Sequence, residues 1–143
     1  MKFHQDFGIS EYFGGKLCEL LSNLDWKFDL IIPVPLNPFR KKTRGFNQSY
    51  RLALPVSYSF QVPIRENALF RTKNTTSQAE LSKALRLTNL IGAFSADKKF
   101  VYNKNILLID DIATTSSTLN QCSIALFEAG AHNVFGITVA RAI

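Results

Sequence analysis

The chain has 143 residues, 46% of them hydrophobic and 20% charged, and its 17 Lys+Arg against 11 Asp+Glu give a formal charge of +6. That apolar fraction suffices for one core in a chain too short for two ordinary domains, which excludes a long acidic or low-complexity disordered protein. The longest stretch without a formal charge, residues 112–127, is rich in Thr and Ser and falls short of the roughly 20 apolar residues of a membrane helix, so no span is expected.

Ile9, Phe13, Leu17, Leu20, Leu21 and Leu24 recur at helical spacing and predict an N-terminal helix, weakened in its middle by Gly14 and Gly15. Leu30 to Val34 is an apolar run closed by prolines, which suits a buried strand ending near Pro33 or Pro35. A loop carries Arg40 to Arg44. Asn47 can cap a short helix with Tyr50, Ala53 and Leu54 on one face, halted by Pro55. Val62 to Phe70 is expected to be extended and Arg71 to Thr76 to be a polar loop. Ser77-Gln78-Ala79-Glu80 has the reciprocal capping pattern that opens a helix carrying Leu81, Leu85 and Thr88, ending before Gly92.

The last third is the clearest. Ile106 to Ile109 reads as a strand apolar on both faces, and Asp110 to Thr118 as a loop. Leu119, Cys122, Leu126 and Ala129 then mark a helix stopped by Gly130, and Val134 to Val139 is a second strand. This is a βαβ unit, so the expected fold class is α/β, a mostly parallel sheet with helices on both faces.

In such a sheet the ligand crevice lies outside the carboxyl ends of the strands, where the loop from Asp110 to Thr118 emerges. Its hydroxyls and the unpaired N–H groups at a helix N-terminus favour a phosphate. Asp110 and Asp111 would repel that phosphate and must face something else: ribose hydroxyls or a magnesium ion. Two acids followed by five consecutive hydroxyl residues, Thr114 to Thr118, exceed what a helix cap needs, and no Gly-Lys-Ser/Thr triplet supports a P-loop.

Charge is distributed unevenly. Between Leu36 and Lys104 there are 13 basic residues and three acidic ones, and the remainder of the chain holds four basic and eight acidic. This points to an anionic partner, a phosphorylated small molecule or nucleic acid, against the alternative of a solvated basic face. Two cysteines 104 positions apart form neither a close metal-ligand pair nor a dense disulfide framework. With no apolar secretory run at the N-terminus, a reducing, cytoplasmic setting is expected. His4 and His132 are too isolated to argue for metal or catalysis.

Ile106 to Thr118 resembles the binding motif of type I phosphoribosyltransferases, which hold 5-phosphoribosyl 1-pyrophosphate (PRPP). The resemblance implies that fold, with a small hood or flexible-loop region. It assigns Asp110 and Asp111 to the ribose hydroxyls, directly or through magnesium, and Ala113, Thr114, Thr115, Ser116, Ser117 and Thr118 to the 5′-phosphate. Ser116 stands where the family usually has Gly. Pro33-Val34-Pro35-Leu36-Asn37-Pro38 with Arg40, Arg44-Gly45-Phe46-Asn47-Gln48, Arg71-Thr72, Gln78, Leu81, Arg86, Asn89 and Gly92-Ala93-Phe94 resemble the ComF competence proteins and their GntX relatives. That closer likeness places Val34, Pro35 and Leu36 on the pyrophosphate side and Arg71 to Gln78 in a mobile loop closing over the ligand. The family usually has a four-cysteine zinc module upstream that this chain lacks, so a single phosphoribosyltransferase-like domain over 1–143 is expected.

Two functions follow as expectations. One is a competence protein of natural transformation and DNA uptake. It would bind PRPP with magnesium, and single-stranded DNA through Arg40, Lys41, Lys42, Arg44 and Lys73, with Phe39, Phe46, Tyr50 and Phe70 interleaved for base stacking. Other DNA-uptake proteins are partners this resemblance implies, and self-association stays open. The other is an active transferase moving the phosphoribosyl group to a nitrogen acceptor, with Asp110 and Asp111 positioning the sugar and Arg71, Lys73 and Arg44 neutralising the leaving pyrophosphate.

Overall fold

The computed structural model describes residues 2–36, 47–72, 91–113 and 117–141. Helix α1 (Lys2–Ser22) leads through a short turn into strand β1 (Leu30–Pro33), and helix α2 (Gln48–Phe60) follows. A 3-10 turn (Glu66–Ala68), strands β2 (Leu69–Arg71) and β3 (Phe94–Ala96) and a one-turn helix α3 (Lys98–Val101) come next. The chain closes with β4 (Asn105–Ala113), helix α4 (Ser117–Glu128) and β5 (Asn133–Arg141).

Strands β1, β4 and β5 form a parallel sheet in the order β1-β4-β5, and β2 and β3 pair antiparallel beside it. The central place of β4 explains why Ile106, Leu107, Leu108 and Ile109 are all fully buried. Alternation along the strand divides them between two core clusters. Leu107 and Ile109, with Ile31, meet Leu17 and Leu21 of α1 and Leu52, Ala53 and Val56 of α2. Ile106 and Leu108, with Leu30 and Ile32, meet Leu69, Phe94, Val101, Cys122 and Leu126. Helices therefore cover both faces, as expected of the α/β class. The β4-α4-β5 unit is the expected βαβ with its strands parallel. Its helix ends at Gly130, whose φ of +99° favours glycine, and a Cβ there would lie 2.6 Å from the Tyr102 ring.

Several local expectations need correction. Helix α2 does not stop at Pro55 but continues to Phe60. Its buried residues are Ser49, Leu52, Ala53 and Val56, while Leu54 is 42% exposed. The lost N–H is compensated by packing: Pro55 seats on Gly14 of α1, where a Cβ would overlap the proline ring. Gly14, which weakens α1 as an isolated helix, is thus what lets the two helices approach. The buried stripe of α1 runs through that contact: Ser10, Gly14, Leu17 and Leu21 are buried, while Ile9, Phe13 and Leu20, expected on the apolar face, are exposed.

Residues 62–70 are not one strand. Ile64 makes a single parallel bridge to Ile31, and the chain turns at Glu66–Ala68 before β2 begins. Pro63 supplies its carbonyl to the Ile31 N–H but has no donor of its own with which to extend a ladder. Arg71 lies in β2, paired with Phe94, and not in the loop. The helix expected from Ser77 lies outside the described residues. Among the described residues no helix is long and apolar enough to cross a membrane.

Candidate functional site

The last correction concerns the acid pair, since β4 does not end at Ile109. It stays in register with β5 through Asp110↔Thr138 and Ile112↔Ala140 to Ala113↔Arg141. The Thr138 hydroxyl also donates to the Asp111 carbonyl at 3.3 Å. Asp110 and Asp111 are therefore strand residues, positioned by the sheet itself. Helix α4 opens at Ser117, so three residues separate it from the end of β4. Ser117 is buried and Thr118 half-buried in its first turn. Thr114, Thr115 and Ser116 lie outside the described residues.

Asp110 is 9% exposed. Its Oδ1 accepts the Asp111 N–H at 2.9 Å and the Ser49 hydroxyl at 3.4 Å. Burial pushes its pKa up to about 7, and the Asp111 carboxyl adds to the rise by hydrogen bonding and by charge, while the Asp111 N–H and the Ser49 hydroxyl oppose it. A crowded acid pair of this kind is relieved by hydroxyl donors or by a cation. Among the described residues no group of three or more His, Cys, Asp or Glu could hold a metal. The two adjacent carboxyl groups of Asp110 and Asp111 fit magnesium, which favours one or two carboxylates completed by water and ligand phosphates over an all-protein cage.

The chain leaving β1 reaches the acid pair from the other side. The Val34 N–H donates to the Ile109 carbonyl at 2.9 Å, holding the exit of β1 against β4. Asn47 caps α2 as expected, with its Oδ1 accepting the Ser49 N–H at 2.9 Å. Its Nδ2 donates to the Val34 carbonyl at 3.0 Å. Val34 is buried, and Pro35 and Leu36 are half-buried. Ser49 carried no functional signal in the sequence, because its partner Asp110 is 61 positions away.

Arg71 reaches the same neighbourhood over the other core cluster. Its guanidinium lies 5.0 Å from the centre of the Phe94 ring. The charges of Arg71 and Asp110 both act on the buried thiol of Cys122, which burial and Asp110 push up out of the ordinary cysteine range and Arg71 pulls down. Cys122 is thereby an unreactive packing residue, and Cys18 is likewise a free thiol. Phe70 is 45% exposed and available to a partner, whereas Tyr50 is half-buried. Arg40, Lys41, Lys42, Arg44 and Lys73, with Phe39 and Phe46, lie outside the described residues.

No family model matches the chain. Competence protein F of Haemophilus influenzae is 38% identical over 117 residues, covering 80% of this chain and 51% of that protein. DNA utilization protein YhgH of Escherichia coli O157:H7 is 38% identical over 106 residues, 74% of this chain and 46% of the relative. Competence protein ComFC of Streptococcus pneumoniae is 31% identical over 140 residues, 98% of this chain and 60% of its own length. The chain thus spans about half the length of the first two of these curated relatives. Among solved structures, glutamine PRPP amidotransferase from B. subtilis, complexed with ADP and GMP, superposes with a TM-score of 0.62 at 20% identity, over 91% of this chain and 26% of that one. Adenine phosphoribosyltransferase from Thermoanaerobacter pseudethanolicus gives 0.58 at 14% identity, over 92% of this chain and 67% of that one. The fold is that of the type I phosphoribosyltransferases.

Proposed function

For a chain that belongs to the ComF-type family of competence and DNA-utilization proteins and carries a type I phosphoribosyltransferase fold, we propose a PRPP-binding protein that acts in the handling of single-stranded DNA during uptake. The observation that carries this reading is the acid pair at the carboxyl end of the central strand, with a helix N-terminus separated from its last residue by three residues. Asp110 and Asp111 would accept hydrogen bonds from the ribose hydroxyls, and Ser117, Thr118 and the N–H groups opening α4 would meet the 5′-phosphate together with Ala113, Thr114, Thr115 and Ser116. Val34, Pro35 and Leu36 would border the pyrophosphate. Magnesium would come with the pyrophosphate and reduce its charge, with Asp110 and Asp111 holding it through the ribose or water.

The basic segment supports the DNA half of the proposal. Arg40, Lys41, Lys42, Arg44 and Lys73 would follow the phosphate backbone, and the exposed Phe70 offers a ring for base stacking worth about 1–3 kcal/mol. Two free thiols suit a cytoplasmic setting. Titration of labelled single-stranded DNA at rising salt tests this half: binding that weakens steeply with salt is expected, and absent or salt-insensitive binding would count against it.

A second reading, transfer of the phosphoribosyl group to a nitrogen acceptor, is favoured by Arg71, whose charge is felt in the same neighbourhood as that of Asp110. There it would offset charge building on the departing pyrophosphate. Pyrophosphate release from PRPP and magnesium, assayed with a panel of nitrogen acceptors, separates the readings. Release requiring an acceptor and lost in Arg71→Ala supports transfer, and PRPP binding without release supports a ligand-binding role.

A further inference from the structure

Asn47 and Ser49 close a ring of hydrogen bonds between the two sides of the candidate site. From the Val34 N–H the ring passes to the Ile109 carbonyl, along the chain to Asp110, from the Asp110 Oδ1 to the Ser49 hydroxyl, from the Ser49 N–H to the Asn47 Oδ1, and from the Asn47 Nδ2 back to the Val34 carbonyl. Both bridging residues are buried, at 9% and 3% exposure. A helix cap alone requires only the Asn47 Oδ1, so the donor to Val34 and the hydroxyl to Asp110 are additional. A polar side chain so thoroughly removed from water is costly unless paired, and here each pairing reaches a different wall of the site.

We propose that Asn47 and Ser49 are positioning residues that set the spacing between the chain leaving β1 and the Asp110 carboxylate, so that the pyrophosphate and ribose parts of PRPP are bound as one ligand. The inference rests on the PRPP reading above. A ligand spanning two groups gains from their fixed separation, whereas a fragment touching one wall does not. Loss of the bridge therefore weakens PRPP far more than inorganic pyrophosphate, a distinction that general destabilisation would not produce.

The test is calorimetry with magnesium and either PRPP or pyrophosphate on the unmodified protein and on Ser49→Ala, Ser49→Thr and Asn47→Ser, with melting curves alongside. Asn47→Ser retains a capping oxygen and removes only the donor to Val34, so it keeps α2 capped if Ser49→Ala folds poorly. Ser49→Ala and Asn47→Ser are expected to weaken PRPP about tenfold and pyrophosphate less than about twofold, with Ser49→Thr restoring most of the affinity through its hydroxyl. PRPP binding unchanged in both variants, or PRPP and pyrophosphate weakened equally, overturns the coupling alone. Failure of the unmodified protein to bind PRPP overturns the functional reading, and the coupling with it.

Discussion

Residues Ile106 to Ile109 and residues Asp110 to Ala113 lie on one strand and share one neighbour, β5. The first four are fully buried apolar side chains, and the next two bring a buried carboxyl against a second one. A sheet that is already rigid through its apolar half can hold two repelling groups at its end without yielding to them. Burial of apolar side chains is concentrated in one half of the strand, and the crowded acid pair in the other.

Substitutions can pull these halves apart. Leu107→Ala empties a site with no exposure between β1, α1 and α2 and is expected to cost about 3–5 kcal/mol in chemical denaturation, whereas a small loss there would mean that the strand is not the centre of the core. Asp110→Asn should act in the opposite direction. Between the ordinary value of 3.8 and about 7 the folded protein holds a proton that the unfolded chain has released, so stability falls as pH rises through that window and levels off above it. The Asn variant, which lacks the charge, should flatten this slope and be more stable by about 2–4 kcal/mol at pH 8 while differing little at pH 4. A parallel pH profile in both proteins would show that the strand end is not under electrostatic strain.

Away from β4 the effects diminish. Gly14→Val forces side-chain volume into Pro55 and is expected to cost about 1–3 kcal/mol, which melting curves would register. Leu20→Ser, on the exposed side of the same helix, should change stability by less than about 0.5 kcal/mol.

The same contrast governs what could be read from the sequence. Ile106 to Ile109 is apolar on both faces wherever its neighbours fall, and Gly130 stops its helix through local backbone freedom, so the βαβ unit was legible from short-range pattern alone. The Asn47 cap was legible for the same reason. Pro55 misleads because the compensation for its missing donor comes from Gly14, 41 positions earlier, and no local rule contains that contact. Asp110 and Asp111 resemble a loop by composition, and only pairing with Thr138 to Arg141 makes them strand. Ser49 gives no sign of its partner until α2 is docked against the end of β4.

Calorimetric titration of PRPP with magnesium into the unmodified chain and into the double variant Asp110→Ala, Asp111→Ala bears most directly on the function assigned to the strand end. Saturable binding by the former, weakened at least about a hundredfold in the latter while the variant still melts cooperatively, is the predicted result. Equal binding by both proteins, or none by the unmodified chain, would contradict it.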